Sequence, residues 1–158
     1  MKIFYSDHFA LPLPEGHRFP MEKYALLRER VTGSDVGAGA ELLVPRAATD
    51  AELETVHDPV YLRKVVSGTL SAAEVRRTGF PWSLALVERS RRSVGGTMGA
   101  ARAALASGVA VNLSGGTHHA FADRGEGFCV FNDVAVAVRV VQGEGRARRV
   151  AILDLDVH

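Results

Sequence analysis

Short β-branched runs alternate along this chain with longer stretches whose apolar residues recur every three or four positions, the signature of an α/β domain. Residues 1–6 predict a strand, and residues 7–19, broken by Pro12, Pro14 and Gly16, a loop. Pro20 opens a helix through Tyr24, Leu27 and Val31 that stops near Gly33. A turn between Gly37 and Gly39 leads to a short strand over residues 41–44. Thr49 and Glu52 form a capping box for a short helix to about Val56. Asp58 caps, and Pro59 begins, a second helix to Ser67, with Gly68 as its stop. Residues 76–82 read as irregular. Ser83 caps a long helix from Leu84 to Ala106, followed by Gly108; Gly95, Gly96 and Gly99 weaken its middle and point to a neighbour that approaches closely. Residues 109–113 read as a candidate for the next buried strand. Asn132 or Asp133 caps a Val- and Ala-rich run ending near Gly143, read as helix from its cap, its length and its place between two strands. Residues 150–157 are an apolar run expected to form a strand buried on both faces. Strand 109–113, helix 133–142 and strand 150–157 then make a parallel βαβ unit.

That last run carries unusual cargo. Side chains alternate across a strand, so Asp154, Asp156 and His158 leave on one side. Carboxylates at the end of an apolar strand are costly unless paired or bound to a cation. One Asp there is ordinarily a helix cap; two acids and an imidazole at alternate positions fit a metal site, at the sheet edge where α/β proteins bind ligands. The strand at 109–113 empties into Ser114-Gly115-Gly116-Thr117-His118-His119 at the same edge, which brings His118 and His119 toward the proposed metal. Paired imidazoles suit proton transfer to and from a water and a leaving group. In the following loop, Gly125 and Gly127 allow close backbone approach to a ligand, and Phe128 could wall a narrow channel or simply fill core. His8 and His17 are candidates by residue type alone, His57 reads as a helix junction, and Cys129 as a small buried apolar residue rather than a nucleophile.

Composition bounds these ideas without changing them. The chain has 158 residues, 47% hydrophobic and 23% charged, enough for one core. A formal net charge of +1 gives no electrostatic case for nucleic acid or an acidic membrane surface. The arginines at 89, 91 and 92 and at 146, 148 and 149 read as solvated faces. One cysteine excludes an internal disulfide framework; with no leader ahead of the first strand and no run long enough to span a bilayer, the expected setting is cytoplasmic. A chain ending on the last residue of a metal motif is expected to be the amino-terminal part (residues 1–158) of a single, longer catalytic domain.

Taken together, Gly115-Gly116-Thr117-His118-His119-Ala120, Gly125-Glu126-Gly127-Phe128-Cys129-Val130-Phe131-Asn132-Asp133 and Ile152-Leu153-Asp154-Leu155-Asp156-Val157-His158 resemble the zinc-dependent histone deacetylase family, which includes bacterial acetoin-utilisation and acetylpolyamine deacetylases. His17-Arg18-Phe19-Pro20-Met21-Glu22-Lys23-Tyr24 and Gly79-Phe80-Pro81-Trp82-Ser83 resemble its class IV branch and bacterial relatives. The resemblance implies a doubly wound α/β fold of the arginase/deacetylase type, a parallel sheet flanked by helices. It implies an amidohydrolase that removes acetyl or longer acyl groups from an acylated amine: protein lysine, polyamine or small metabolite. Asp156 and His158 would be zinc ligands (ferrous ion being the alternative metal), His118 and His119 the general acid/base pair, and Asp154 the carboxylate that orients His118. Gly127 and Phe128 would line the acyl-lysine channel, and Arg18 would face the cavity where released acid collects. A structural potassium would sit by the 154–158 stretch. The family's third metal ligand and its oxyanion-stabilising Tyr fall outside these 158 residues, so the chain alone is expected to bind metal weakly and to lack catalysis. Two other readings stand beside this one. A manganese ureohydrolase is disfavoured by the order Asp-x-Asp-x-His; a non-catalytic interaction module would keep the fold without the chemistry.

Overall fold

The structure is a computed structural model that describes residues 1–9 and 11–157. Three short strands, β1 (Lys2–Phe4), β2 (Glu41–Leu43) and β3 (Ala110–Asn112), form an all-parallel sheet in the order β2-β1-β3. Ile3, fully buried, sits in register with Leu42 on one side and Val111 on the other. Parallel neighbours need long crossovers, and helices supply them. Helix α1 (Lys23–Thr32) connects β1 to β2; α2 (Asp50–Leu53), α3 (Pro59–Ser67), α4 (Ala72–Thr78) and α5 (Leu84–Ser107) connect β2 to β3; α6 (Asp133–Gly143) follows β3. No described helix is long and apolar enough to cross a membrane.

The core lies where α5 meets α6 and the sheet. Val94 and Met98 of α5 and Val136, Ala137 and Val140 of α6 belong to one buried cluster with Leu53, Leu62, Val65, Phe80 and Phe131. The predicted close approach to the glycines of α5 is present. A Cβ on Gly95 would run into the Arg46 carbonyl oxygen, one on Gly96 would stand 2.6 Å from Asn112 Oδ1, and one on Gly99 would stand 2.7 Å from the Phe4 ring. The helix rests directly on the sheet at Gly96 and Gly99, and on the segment after β2 at Gly95, because these three positions lack side chains.

Local chemistry sets most helix ends as expected. Thr49 and Glu52 make both bonds of a capping box, Asp58 Oδ1 accepts from Val60 N at 2.6 Å, and Ser83 Oγ accepts from Leu86 N at 3.1 Å. Gly68 and Gly79 close α3 and α4 in the left-handed conformation.

Four expectations are corrected. Helix α1 begins at Lys23, not Pro20, because residues 20–22 form a turn in which Lys23 N bonds Pro20 O. Residues 72–78, partly read as irregular, are helix α4, opened by a capping box between Ser71 and Glu74. Residues 150–157 form no strand: they have no ladder partner among the described residues, and Leu153, Leu155 and Val157 are exposed. A strand buried on both faces needs a paired edge and cover on each side, and the described elements provide neither here. Finally, Arg89 is buried at 7% exposure rather than solvated, while Arg91 and Arg92 pair with Asp50 and Glu88.

Candidate functional site

The β3 edge of the sheet delivers the chain into the loop that carries His118 and His119. Three polar residues fasten that loop. Asp133, at the first position of α6 and fully buried, accepts from Gly116 N at 3.0 Å, from Thr117 N at 2.8 Å and from the Thr97 hydroxyl. Gly115 is required because a Cβ there would stand 2.6 Å from Asp133 Oδ2. Asn132 caps α6 by accepting from Ala135 N at 3.0 Å, while its Nδ2 donates to the carbonyls of His118 at 3.2 Å and Ala120 at 3.1 Å. His57 supports Asn132 from below: its Nε2 accepts from Asn132 N at 3.0 Å, and the ring is buried between Tyr61 and Phe131. Burial pushes the His57 imidazole below its usual value, so it serves as a neutral acceptor.

The imidazoles of His118 and His119 lie with centroids 4.3 Å apart. His118 Nε2 is 3.9 Å from Asp154 Oδ2 and 3.8 Å from Asp156 Oδ2, and Asp156 N donates to Asp154 Oδ1 at 3.0 Å. Both carboxylates thus reach one imidazole although the stretch bearing them is outside the sheet. At these distances they are electrostatic neighbours of the ring, beyond hydrogen-bond length. His158 lies outside the described residues, and among those described no three metal-binding side chains gather into one group. The donors present are carboxylate oxygen and imidazole nitrogen, which suit a zinc or ferrous ion.

His118, His119 and Asp156 open onto a cavity of about 300 Å³ also lined by Gly127, Phe128, Arg18, Lys23 and Arg89. Phe128 has a left-handed backbone, φ 65°, uncommon for a side chain of its size. Its amide donates to Thr78 O at 2.8 Å, and its ring packs against Phe19 and Phe80, each with centroids 5.2 Å away. The ring is therefore both core packing and cavity wall. His17 is a structural member of this aromatic group: Nδ1 accepts from Phe19 N at 3.1 Å, which leaves Nε2 to donate to Gly79 O at 3.0 Å. His8 packs against Tyr5 and Phe9. Cys129 is buried and its thiol is pushed up by burial, the opposite of an activated nucleophile.

The loop-fastening role of Asn132 and Asp133 was missed in the sequence, where either residue sufficed as a helix cap. The visible signal was that two adjacent residues could both cap, and only one was needed.

Comparison with known proteins bears on the family and the fold. A family model described as histone deacetylase domain matches residues 17–158. An uncharacterized protein of Picosynechococcus sp. is 44% identical over 156 residues, covering 99% of this chain and 52% of that protein. Acetoin utilization protein AcuC of Bacillus subtilis is 32% identical over 152 residues, covering 90% and 39% respectively. The crystal structure of an HDAC homologue from Aquifex aeolicus superimposes with a TM-score of 0.70 at 24% identity, covering 91% of this chain and 41% of that one. The chain thus spans about half, or less, of the length of these relatives. With its parallel sheet flanked by helices and the family model matching from His17 onward, the chain belongs to the histone deacetylase family.

Proposed function

We propose that this chain forms the amino-terminal half of a metal-dependent deacylase domain, which hydrolyses the amide of an acetylated or longer acylated lysine-like amine. The observation that carries the proposal is the pair His118 and His119 on a loop fastened by Asn132 and Asp133, with the Asp154 and Asp156 carboxylates beside His118 and a cavity walled by Phe128. Asp156 and His158 would hold a zinc ion, with ferrous ion as the alternative, and a potassium ion would bind by the same stretch. When bound, the metal supplies a Lewis acid that polarises the amide carbonyl and acidifies a water.

The remaining work falls to the protein. Asp154 and Asp156 sit beside His118, where Asp154 would orient the ring. The half-buried His119, whose Cβ and ring pack on Gly127, takes the proton of the attacking water. A proton is then returned from the pair to the departing amine. Gly127 and Phe128 hold the acyl-bearing arm and exclude water around it.

The test uses the full-length protein. It should contain one equivalent of zinc or ferrous ion and hydrolyse an acetyl-lysine peptide. His119→Ala should retain metal and lose at least about 100-fold in kcat, the scale of a lost general base. A His119→Ala protein that keeps wild-type turnover would refute the assignment.

A further inference from the structure

Of the Asp, Glu, Lys and Arg side chains among the described residues, Asp133 and Arg89 are the buried ones, and the fold treats them in opposite ways. Asp133 is saturated by donors. Arg89 meets no carboxylate and no hydrogen-bond acceptor among the described residues; its neighbours are rings, with its guanidinium 4.6 Å from the Tyr24 centroid and 5.8 Å from that of Phe19. Lys23 Nζ lies over the same two rings, 4.3 Å from Phe19 and 5.2 Å from Tyr24. Arg18 lines the same cavity. Against these three cations, Asp156 is the only carboxylate among the lining residues, and it faces His118. Ring faces compensate part of the burial of a guanidinium. They leave its in-plane donors without acceptors, on the wall of a cavity that also holds the proposed catalytic pair.

We propose that Arg89, flanked by Lys23 and Arg18, is a carboxylate subsite, and that the substrate is an amide carrying a carboxylate of its own rather than an acylated polyamine. This rests on the hydrolase assignment above. A guanidinium fork matches a carboxylate through two parallel hydrogen bonds, whereas a polyamine would bring further cations against three already there. The carboxylate comes either from the acyl side, as in a succinyl-lysine, or from the amine side, as in an N-acetyl amino acid. In both, water adds across one C–N bond: the carbonyl carbon keeps the hydroxyl oxygen, the nitrogen leaves protonated, and no redox partner is needed.

The test measures kcat/KM of the full-length metal-loaded protein for four substrates: a succinyl-lysine peptide, the acetyl-lysine peptide of the same sequence, N-acetylglutamate and N-acetylputrescine. One carboxylate-bearing substrate should exceed the acetyl-lysine peptide by about tenfold or more, the value of a hydrogen bond to a charged group, and which one does so identifies the source. N-acetylputrescine should be slowest. Arg89→Met should collapse that preference and weaken competition by free succinate by a similar factor; Arg89→Lys should keep part of both. If Arg89→Met does not fold, Arg89→Lys and the wild-type ranking carry the test. Hydrolysis without preference for a carboxylate, or an equal loss on all substrates in the variants, overturns the subsite. If no amide is cleaved, the hydrolase assignment is what fails; the subsite is then decided by calorimetry with succinate, where binding lost in Arg89→Met supports it and no binding to wild type overturns it.

Discussion

Asn132 Nδ2 donates to the carbonyl oxygens of His118 and Ala120, so the residue that caps α6 also grips the backbone on both sides of His119. Asn132→Ser separates the two duties, since serine caps a helix well but is too short to reach both carbonyls. Its stability should fall by no more than about 1 kcal/mol, while Asn132→Ala should lose about 1 kcal/mol more with the cap. In the full-length protein, Asn132→Ser should lower the proposed kcat about tenfold with KM little changed, as expected when the proposed catalytic pair is misplaced after substrate has bound. Steady-state kinetics beside urea unfolding would check both.

Asp133 offers a harsher experiment. Asp133→Ala removes the acceptor shared by the Gly116 and Thr117 amides and the Thr97 hydroxyl. A buried group left unsatisfied costs about 1–3 kcal/mol and water reaches part of this loop, so the variant should lose at least ~1 kcal/mol in chemical denaturation. Raising the ionic strength should not restore it, because the carboxylate is fully buried.

His57 predicts a pH dependence of stability. Its folded value lies below the ordinary 6.5 because of burial, partly opposed by the Ala122 and Phe121 backbone. As pH falls below that ordinary value, the unfolded chain takes up a proton that the folded chain refuses. Stability should therefore decline on acidification from about pH 6.5, by at most ~1.4 kcal/mol per unit. His57→Gln, whose amide oxygen can accept from Asn132 N, should flatten this slope. Glu52 and Glu74, held at about 2 by Arg46 and Lys64, act in a separate window. Their contribution is present above the usual carboxylate value of 4.5 and fades only as pH drops toward 2, so denaturation profiles over the two ranges distinguish the sources.

Phe128 combines an unfavourable backbone with a favourable ring. Phe128→Gly relieves roughly 1–2 kcal/mol of left-handed strain but loses about 3 kcal/mol or more of aromatic packing. A net loss of about 1–2 kcal/mol follows. With the cavity wall gone, KM for the proposed acylated amine should rise more than kcat falls. A KM left at its wild-type value would remove Phe128 from the channel.

Helix α3 was legible to the residue, because Asp58, Pro59 and Gly68 fix its ends by local bonds alone. Helix α4 was equally legible from Ser71 and Glu74, the same pattern as Thr49 and Glu52, and was overlooked. The buried Arg89 could have been found too, since it lies on the inward stripe of α5 with Leu86, Ser90, Ser93 and Val94, although its sequence neighbours Arg91 and Arg92 suggested a solvated cluster. Residues 150–157 mark the limit of the method. Apolar alternation records that a segment suits a sheet; whether it joins one depends on partners distant in the chain. The approach of the Asp154 and Asp156 carboxylates to His118 was anticipated from βαβ geometry, yet it occurs without that strand having paired.

The three glycines of α5 also limit how the molecule can move. Advance the helix one turn and Ala100 takes the seat of Gly96 while Ala103 takes that of Gly99, driving methyl groups toward Asn112 and Phe4. Retract it one turn and Arg91 and Arg92 arrive where only hydrogen fits. The longest element of the fold is keyed in place and cannot serve as a piston. If the proposed site takes acyl groups of different length, the adjustment must come from the loops that present Phe19 and Phe128, while the beam beneath them stays still.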